Sequence, residues 1–351
     1  MSETPLRILL TSYYMPAGSK IGVGHQVHAL ANALVGLGHD VTVATPCPPS
    51  ADSRYQTLTL AVKGPLRTFR WAWVLRALDM QAFDVLHAHG DDYWLWRRRA
   101  RAHIRTMHGS CLEEARRVPG LKEKLRMLLL GLTEWLSTAA ADRTVLVSRN
   151  TRRWIPWVHS VIPNGVDTKG LASLPTDKSE DPEILFVGTY QNRKRGWLLV
   201  EAFERFVLPA HPRAVLRMVC SDAPSNPGIE VLGRLSEQEL FEAYRRAWIF
   251  CLPSTYEGFG IPYVEAMAAG CGVVATHNPG AIELSDDGRA ICLVSDKGLG
   301  PALLRLIEDP EYRSQLSATA EIHARQFDIE SVAHRYVEVY RDVMAARSRR
   351  G

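Results

Sequence analysis

Two glutamates, Glu257 and Glu265, stand with seven residues between them in STYEGFGIPYVEAMAAGCGVVAT, residues 254–276. Between them lie Gly258-Phe259-Gly260 and then Pro262. Pro262 suits the first turn of a helix and Gly270 its end, so a helix is expected over 261–269, fed by the glycine turn. The unpaired N–H groups of such a helix start, with roughly half a unit of positive charge from the helix dipole, hold a phosphate. Glycines there let the backbone come close. A carboxylate repels a phosphate, so Glu257 is expected to address neutral hydroxyls beside it, two at a time. Glu265, deeper in the helix, suits a second diol in the same way. A phosphate flanked by two polyols is the outline of a sugar nucleotide. Taken singly, the two acids would read as a helix-start charge and a surface residue.

At 351 residues the chain is long enough for two domains. Its 46% hydrophobic and 23% charged residues are the mix of a globular protein. No run approaches the roughly 18 apolar residues that span a bilayer. The start, MSETPLRILL, lacks the basic region and cleavage site of a signal peptide. Six scattered cysteines without a CxxC pair read as reduced thiols, so a cytoplasmic setting is expected. The net charge of +4 is uneven: residues 94–153 hold fourteen Lys/Arg against five Asp/Glu, leaving the remainder at −5.

Short apolar runs alternate with helical patterns. RILLTSYY (7–14) reads as a strand, GHQVHALANALVGLG as a helix, and HDVTVATP, FDVLHAHG, HIRTMHG and RTVLVS as further strands. LKEKLRMLLLGLTEWLSTAAA (121–141) is an amphipathic helix. Residues 161–182, rich in Pro, Gly, Asp and Ser, read as a linker. The series then restarts: EILFVGT, the helix GWLLVEAFERFV (196–207), AVLRMVCS, IEVLG, a helix with Ser236 as N-cap and Glu239 three later, WIFCLPS, and GVVAT. A basic helix ends the chain. The expectation is an α/β protein of two doubly wound parallel units, with a ligand cleft between them. Strand-end residues are then the ones to inspect: Ser12, His89, His108, Gly188, Asp222 and Arg234 among them.

Five motifs in order carry a resemblance. KIGVGHQVHALANALVGLGHDVTV, VIPNGVD, LFVGTYQNRKRGWLLVEAF, VLGRLSEQELFEAYRRA and the two-glutamate stretch resemble, over nearly the full length, the retaining glycosyltransferases of glycosyltransferase family 4. The resemblance implies the GT-B architecture: two facing Rossmann-like domains, here 1–164 for the acceptor and 165–329 for the donor, with a terminal helix of about 330–351 packing back on the first. It implies transfer of a hexosyl group from a UDP- or GDP-sugar to a hydroxyl acceptor, such as a cell-envelope glycan, a lipid-linked molecule or a natural product. Glu257 would bind the donor sugar, Glu265 the ribose, and the amides of Phe259, Gly260 and Ile261 the sugar and diphosphate, with Gly258 beside them in the donor site. Arg195, helped by Lys194, would stand for the family's diphosphate-neutralising lysine. His108 would lie near the reacting sugar, Gly22 would approach the diphosphate from the first domain, and Arg234 would line the base pocket. His108, Glu257 and Arg195 are thus the expected catalytic set. No metal or other cofactor is expected, and no nucleic-acid partner. Two departures stand out: Thr189 replaces the family's usual second arginine, and the paired glycines of the first loop become Ile21-Gly22.

Rival functions fit less well. A dehydrogenase would need GxGxxG directly after the first strand, and a glycoside hydrolase would not need a phosphate cradle. A nucleotide-sugar epimerase of the same architecture and a non-catalytic nucleotide-sugar binding protein remain alternatives. Asp91 and Asp92, in GDDY, lie at a strand end without a phosphate loop, which argues against a metal there. The basic region 94–153 offers a weak peripheral contact with the inner face of the membrane, or a surface that steers a phosphorylated acceptor. The ordinary expectation for 121–141 is that its apolar stripe packs on the sheet.

Overall fold

The computed structural model describes residues 4–17, 22–64, 66–95, 100–118, 120–173 and 178–349. It forms two compact units, Met1–Gly165 with Ile329–Gly351, and Val166–Asp328.

The first unit holds β1 (Arg7–Thr11), β2 (Asp40–Thr45), β3 (Gln56–Thr59), β4 (Val85–Ala88), β5 (Ala102–Met107) and β6 (Arg143–Leu146). All pair in parallel, in the order β3-β2-β1-β4-β5-β6. Every residue of β4 and β5 is buried, as expected of strands covered on both faces. One face packs on α1 (Gly22–Gly36) through Val27, Leu30 and Leu34. The other packs on α2 (Arg67–Val74) through Trp71. Then come α3 (Cys111–Glu114) and α4 (Leu121–Ala140). The last helix of the chain belongs to this unit and brings Val332, Tyr336, Tyr340 and Val343 into the α1 core.

The second unit holds α5 (Thr168–Ser173), β7 (Glu183–Val187), α6 (Gly196–Ala202), α7 (Leu208–Ala210), β8 (Val215–Val219), β9 (Ile229–Val231), α8 (Glu237–Arg246), β10 (Ile249–Leu252), α9 (Ile261–Ala268), β11 (Gly272–Thr276), α10 (Pro279–Leu284), β12 (Cys292–Val294), α11 (Leu299–Glu308) and α12 (Pro310–Ala324). The terminal helix of the first unit is α13 (Ile329–Ser348). The second sheet, β12-β11-β10-β7-β8-β9, repeats the doubly wound order of the first. Its strand order reverses between β7 and β10, so the loops leaving those two strands border the switch point where ligands bind.

Several local expectations needed correction. The first strand stops at Thr11 instead of Tyr14, because the Ser12 hydroxyl donates to the Tyr14 carbonyl at 2.7 Å and bends the chain. The single helix over 196–207 is interrupted by a π-turn at Phe203–Val207. Pro209 cannot donate to the Arg205 carbonyl and its ring crowds it, so the coil widens there. The linker contains α5, and its residues 174–177 lie outside the described residues. The edge strands β3 and β12 went unread; β3 is largely exposed and polar, without a strand's apolar run.

The largest correction concerns α4. Its apolar stripe does not pack on the sheet: Leu121, Leu125, Leu128, Leu129, Leu132, Trp135 and Leu136 are exposed, Leu121 to 83%. Leu130, Gly131 and Ser137, on the other side, are buried. Trp157, also exposed, packs edge-on against Trp135 at 5.8 Å, and Lys122 and Lys124 flank the stripe in solvent. The arginine run Arg97, Arg98 and Arg99 lies outside the described residues.

Candidate functional site

In the second unit, the loops after β7 and β10 meet. Gly260, at φ 103°, turns the chain into α9, with Pro262 in its first turn. Gly280, at the start of α10, packs so closely on this loop that a Cβ there would come within 2.4 Å of the Phe259 carbonyl oxygen. Its N–H donates to the Glu257 carbonyl at 3.0 Å. The Gly258-Phe259-Gly260 turn is therefore held against the start of α10.

Glu257 is 5% exposed, and its Oε1 accepts three hydrogen bonds: from Ser254 Oγ at 2.6 Å, Arg193 Nη1 at 2.8 Å and Lys194 Nζ at 2.8 Å. Burial by itself would raise its pKa, but Lys194 and Arg193 outweigh burial and hold the carboxyl below its ordinary value. Burial likewise pulls the Lys194 ammonium down, with Glu257 acting against it and Glu265 adding a smaller pull the same way. Lys194 thus lies in the field of both glutamates. Burial pushes the Glu265 carboxyl up to about 7, although the Tyr244 hydroxyl donates to its Oε2 at 2.9 Å.

Arg195 is placed differently. It sits in the left-handed region at φ 51°, an uncommon and costly conformation for a non-glycine residue. Its Nε donates to the Pro253 carbonyl at 2.7 Å, its two Nη atoms pair with Asp296 at 2.7 and 2.9 Å, and Nη2 reaches Thr276 Oγ1 at 3.1 Å. The guanidinium ties the β10 and β11 ends together, while Lys194 and Arg193 carry their charge to Glu257. The αL backbone at Arg195 closes the turn on which they sit. Gly196 follows, packed so tightly on Tyr190 Cα that a Cβ would stand 3.0 Å from it. Arg234 is exposed on the loop after β9, just past Gly233 at φ 65°.

In the first unit, Gly22 opens α1, exposed, with open space where a Cβ would be. The glycine that matters to packing is Gly24, whose Cβ would stand 2.9 Å from the Met15 backbone. His108 follows β5, and its Nε2 lies 2.9 Å from Nδ1 of His89, which follows β4. Burial pulls His108 down to about 4, and a hydrogen bond to the Asn164 side chain acts against that shift. Asn164 belongs to the VIPNGVD motif. Beneath them, Asp92 is buried between Arg105 and His103 Nε2, the latter at 3.0 Å. Sequence reasoning placed His89 and Ser254 only among the strand-end residues, and it did not name Asp296. The Ser-x-x-Glu spacing of Ser254 and Glu257 was a legible signal; nothing local points to Asp296. Among the described residues no group of three His, Cys, Asp or Glu is arranged to hold a metal, and the six cysteines are free thiols.

Two doubly wound parallel units, with a cation–glutamate cluster at the switch point of the second, fit the GT-B architecture of glycosyltransferases. Residues 21–169 match Glycosyltransferase Family 4, and residues 181–309 match the glycosyl transferases group 1. The chain belongs to the family 4 type of glycosyltransferase, and it is an enzyme of that class. It is 27% identical to the phosphatidyl-myo-inositol mannosyltransferase of Mycolicibacterium smegmatis, over 93% of this chain and 91% of that one. Among solved structures it resembles sucrose-phosphate synthase from Thermosynechococcus elongatus, at a TM-score of 0.76 and 20% identity, covering 97% of this chain and all of that one. It also resembles Anabaena HepE in complex with UDP-glucose, at a TM-score of 0.74 and 16% identity, covering 96% and 100%.

Proposed function

We propose that this glycosyltransferase moves a hexose from a nucleotide-sugar donor to a hydroxyl acceptor with retention of configuration and without a metal. The observation that carries the donor assignment is Lys194, whose ammonium lies 2.8 Å from Glu257 and in the field of Glu265. The solved relative holding UDP-glucose supports the same donor class. In this reading the diphosphate takes Lys194, Arg193 and the amides of Phe259, Gly260 and Ile261. Glu257, held through Oε1 by Ser254 and the two cations, accepts from the sugar hydroxyls through Oε2, and Glu265 accepts from the ribose diol. The cations and amides stabilise charge developing on the leaving diphosphate. That phosphate takes the acceptor's proton, so no protein nucleophile is called for. The test is a panel of UDP- and GDP-sugars, read by thermal shift and by slow donor hydrolysis; protection by none of them overturns the reading.

Glu265 gives this donor site a pH dependence. Its carboxyl, held near 7 in the folded chain against an ordinary 4.5, is protonated through that window when folded and ionised when unfolded. Its contribution to stability is therefore present below about 4.5 and is lost as pH rises toward 7. Donor binding runs the other way, because two ribose hydroxyls need the ionised acceptor. Titration calorimetry from pH 5.5 to 8 should show donor affinity rising through pH 7. In Glu265→Gln the slope should vanish, with affinity about tenfold weaker at pH 8.

The exposed stripe of α4 supports a peripheral membrane contact. Seven apolar side chains on one helix face, an exposed Trp pair, and Lys122 and Lys124 beside them have the composition of an interfacial helix. No helix among the described residues is long and apolar enough to cross a membrane. Sedimentation with anionic phospholipid vesicles should capture the parent chain, and the double variant Leu125→Glu, Leu132→Glu should remain in the supernatant. Equal sedimentation of the two would sink the proposal.

A further inference from the structure

A cavity of about 340 Å³ opens in the first unit. Its floor is made by strand ends: His89 and Asp91 after β4, Arg105 on β5 and His108 after it. One wall is the inner face of α4, including Leu130, Glu134 and Ser137, opposite the exposed leucine stripe.

Two observations say that the cavity awaits a polar ligand. His89 is only 8% exposed and, among the described residues, its Nε2 has no hydrogen-bond partner, nor has Nε of Arg105, which is also buried. A buried polar atom left unsatisfied costs about 1–3 kcal/mol, so such atoms point to a missing partner. Asp91 also lines the cavity, and its carboxylate accepts no hydrogen bond among the described residues. Its backbone is left-handed at φ 59°, directly after Gly90 at φ 119°. That conformation is held at a cost, and it sits at the cavity floor.

The charge lining the cavity excludes one ligand class. Three acids face it, Asp91, Glu114 and Glu134, and two bases, Arg105 and Arg126. Each base already has an acid beside it: an Nη of Arg105 pairs with buried Asp92, leaving its Nε open, and Arg126 pairs with Glu123 at the surface. Glu134 is occupied by the Cys111 N–H at 3.0 Å, which leaves Asp91, at the floor, and Glu114 as the acids open to a ligand. The histidines add no positive charge, since burial pulls His89 well below its ordinary value and His108 to about 4. Burial pushes Asp91 up to about 7, with Arg105 and Arg126 opposing and Asp92 and Glu134 reinforcing that shift. A phosphomonoester, at about −1.5 to −2 charge, would meet three acids against two bases that each already face another acid.

We propose that this cavity seats a neutral polyol, the hydroxyl-bearing head of the acceptor, with Asp91 accepting its hydrogen bonds and phosphorylated heads excluded. The inference rests on the transferase reading and names the acceptor class for it. The basic surface of the first unit therefore does not make this cavity a phosphate site. With α4 lining the cavity on one face and showing leucines on the other, an amphiphilic acceptor can place its head inside and its apolar part along the helix.

The test uses two probe pairs on the full chain at pH 8, where Asp91 is ionised: myo-inositol against inositol 1-phosphate, and methyl glucoside against glucose 6-phosphate. Saturation-transfer NMR should show each neutral probe binding at least about tenfold more tightly than its phosphate. Asp91→Asn, which tolerates the left-handed backbone, should narrow that gap, and Asp91→Lys should reverse it. Tighter binding of the phosphates by the parent, no binding of either neutral probe, or an unchanged preference in both variants would overturn the proposal. Thermal protection by nucleotide sugars, read in parallel, separates the two failures. Donor protection with failed polyol binding removes only this inference, whereas loss of donor protection in the parent removes the transferase reading beneath it.

Discussion

Glu257→Ala should lower kcat by about 10²–10³-fold, the size of effect seen when one preorganised polar contact to a developing charge is removed. The carboxylate sits where three donors converge on one oxygen, so its position is set before any ligand arrives. Preorganisation of that kind makes a contact count in the transition state, when no time remains for rearrangement. The same substitution leaves the Lys194 ammonium, only 15% exposed, without its nearest anion. Stranding one partner of a buried pair costs about 3 kcal/mol at the low end, and part of that is recovered if Lys194 gives up its proton. Stability and turnover must therefore be read together. Glu257→Gln separates them, because it keeps a partner for the Ser254 hydroxyl and matches the volume while removing the charge. Single-turnover rates and melting temperatures of the parent and both variants decide the matter. A folded Glu257→Gln with the parent's rate would remove Glu257 from the chemistry.

The second large effect is expected at Lys194, not at its neighbour. Lys194→Ala should reduce kcat/KM by about 10²–10³-fold, since it deletes the ammonium paired with Glu257 and in the field of Glu265. Arg195→Ala removes the hydrogen bonds to Pro253, Thr276 and Asp296 that fasten two strand ends. It should act first on stability, by about 1–3 kcal/mol, and only about tenfold on turnover through the loosened loop. The resemblance alone gives the diphosphate cation to Arg195. Kinetics of the two alanine variants, normalised to folded protein, choose between the registers: a deeper kinetic loss at Arg195 would return the role to it.

The difference between these neighbours shows where sequence reading runs out. The order RKRG is plain in the chain, but which of three consecutive cations faces Glu257 depends on the left-handed turn at Arg195 and on Asp296, a hundred residues away. Asp91 is a similar case. GDDY marks a strand end, yet one aspartate is sealed against Arg105 and His103 while the other opens on a cavity. Adjacent residues on a loop have no fixed periodicity, so their directions follow from backbone angles that only the packed structure sets.

What the sequence determined by itself is the repeating architecture and the glutamate helix. Apolar runs such as ILLT and GVVAT specify buried strands, because parallel strands covered on both faces admit little else. Glycine and proline around Phe259 and Ile261 specify the helix start, because their backbone limits are local. The Ser236–Glu239 capping box was equally local, and both of its hydrogen bonds are present. The tertiary structure alone decided that the α4 stripe faces solvent, that Lys194 meets the glutamates, and that Asp91 keeps an open carboxylate. The physical reason is common to all three. Amphipathic spacing records that a helix has an apolar side, and a charge records that it needs a partner, but neither records which surface or which partner lies opposite once distant segments pack together.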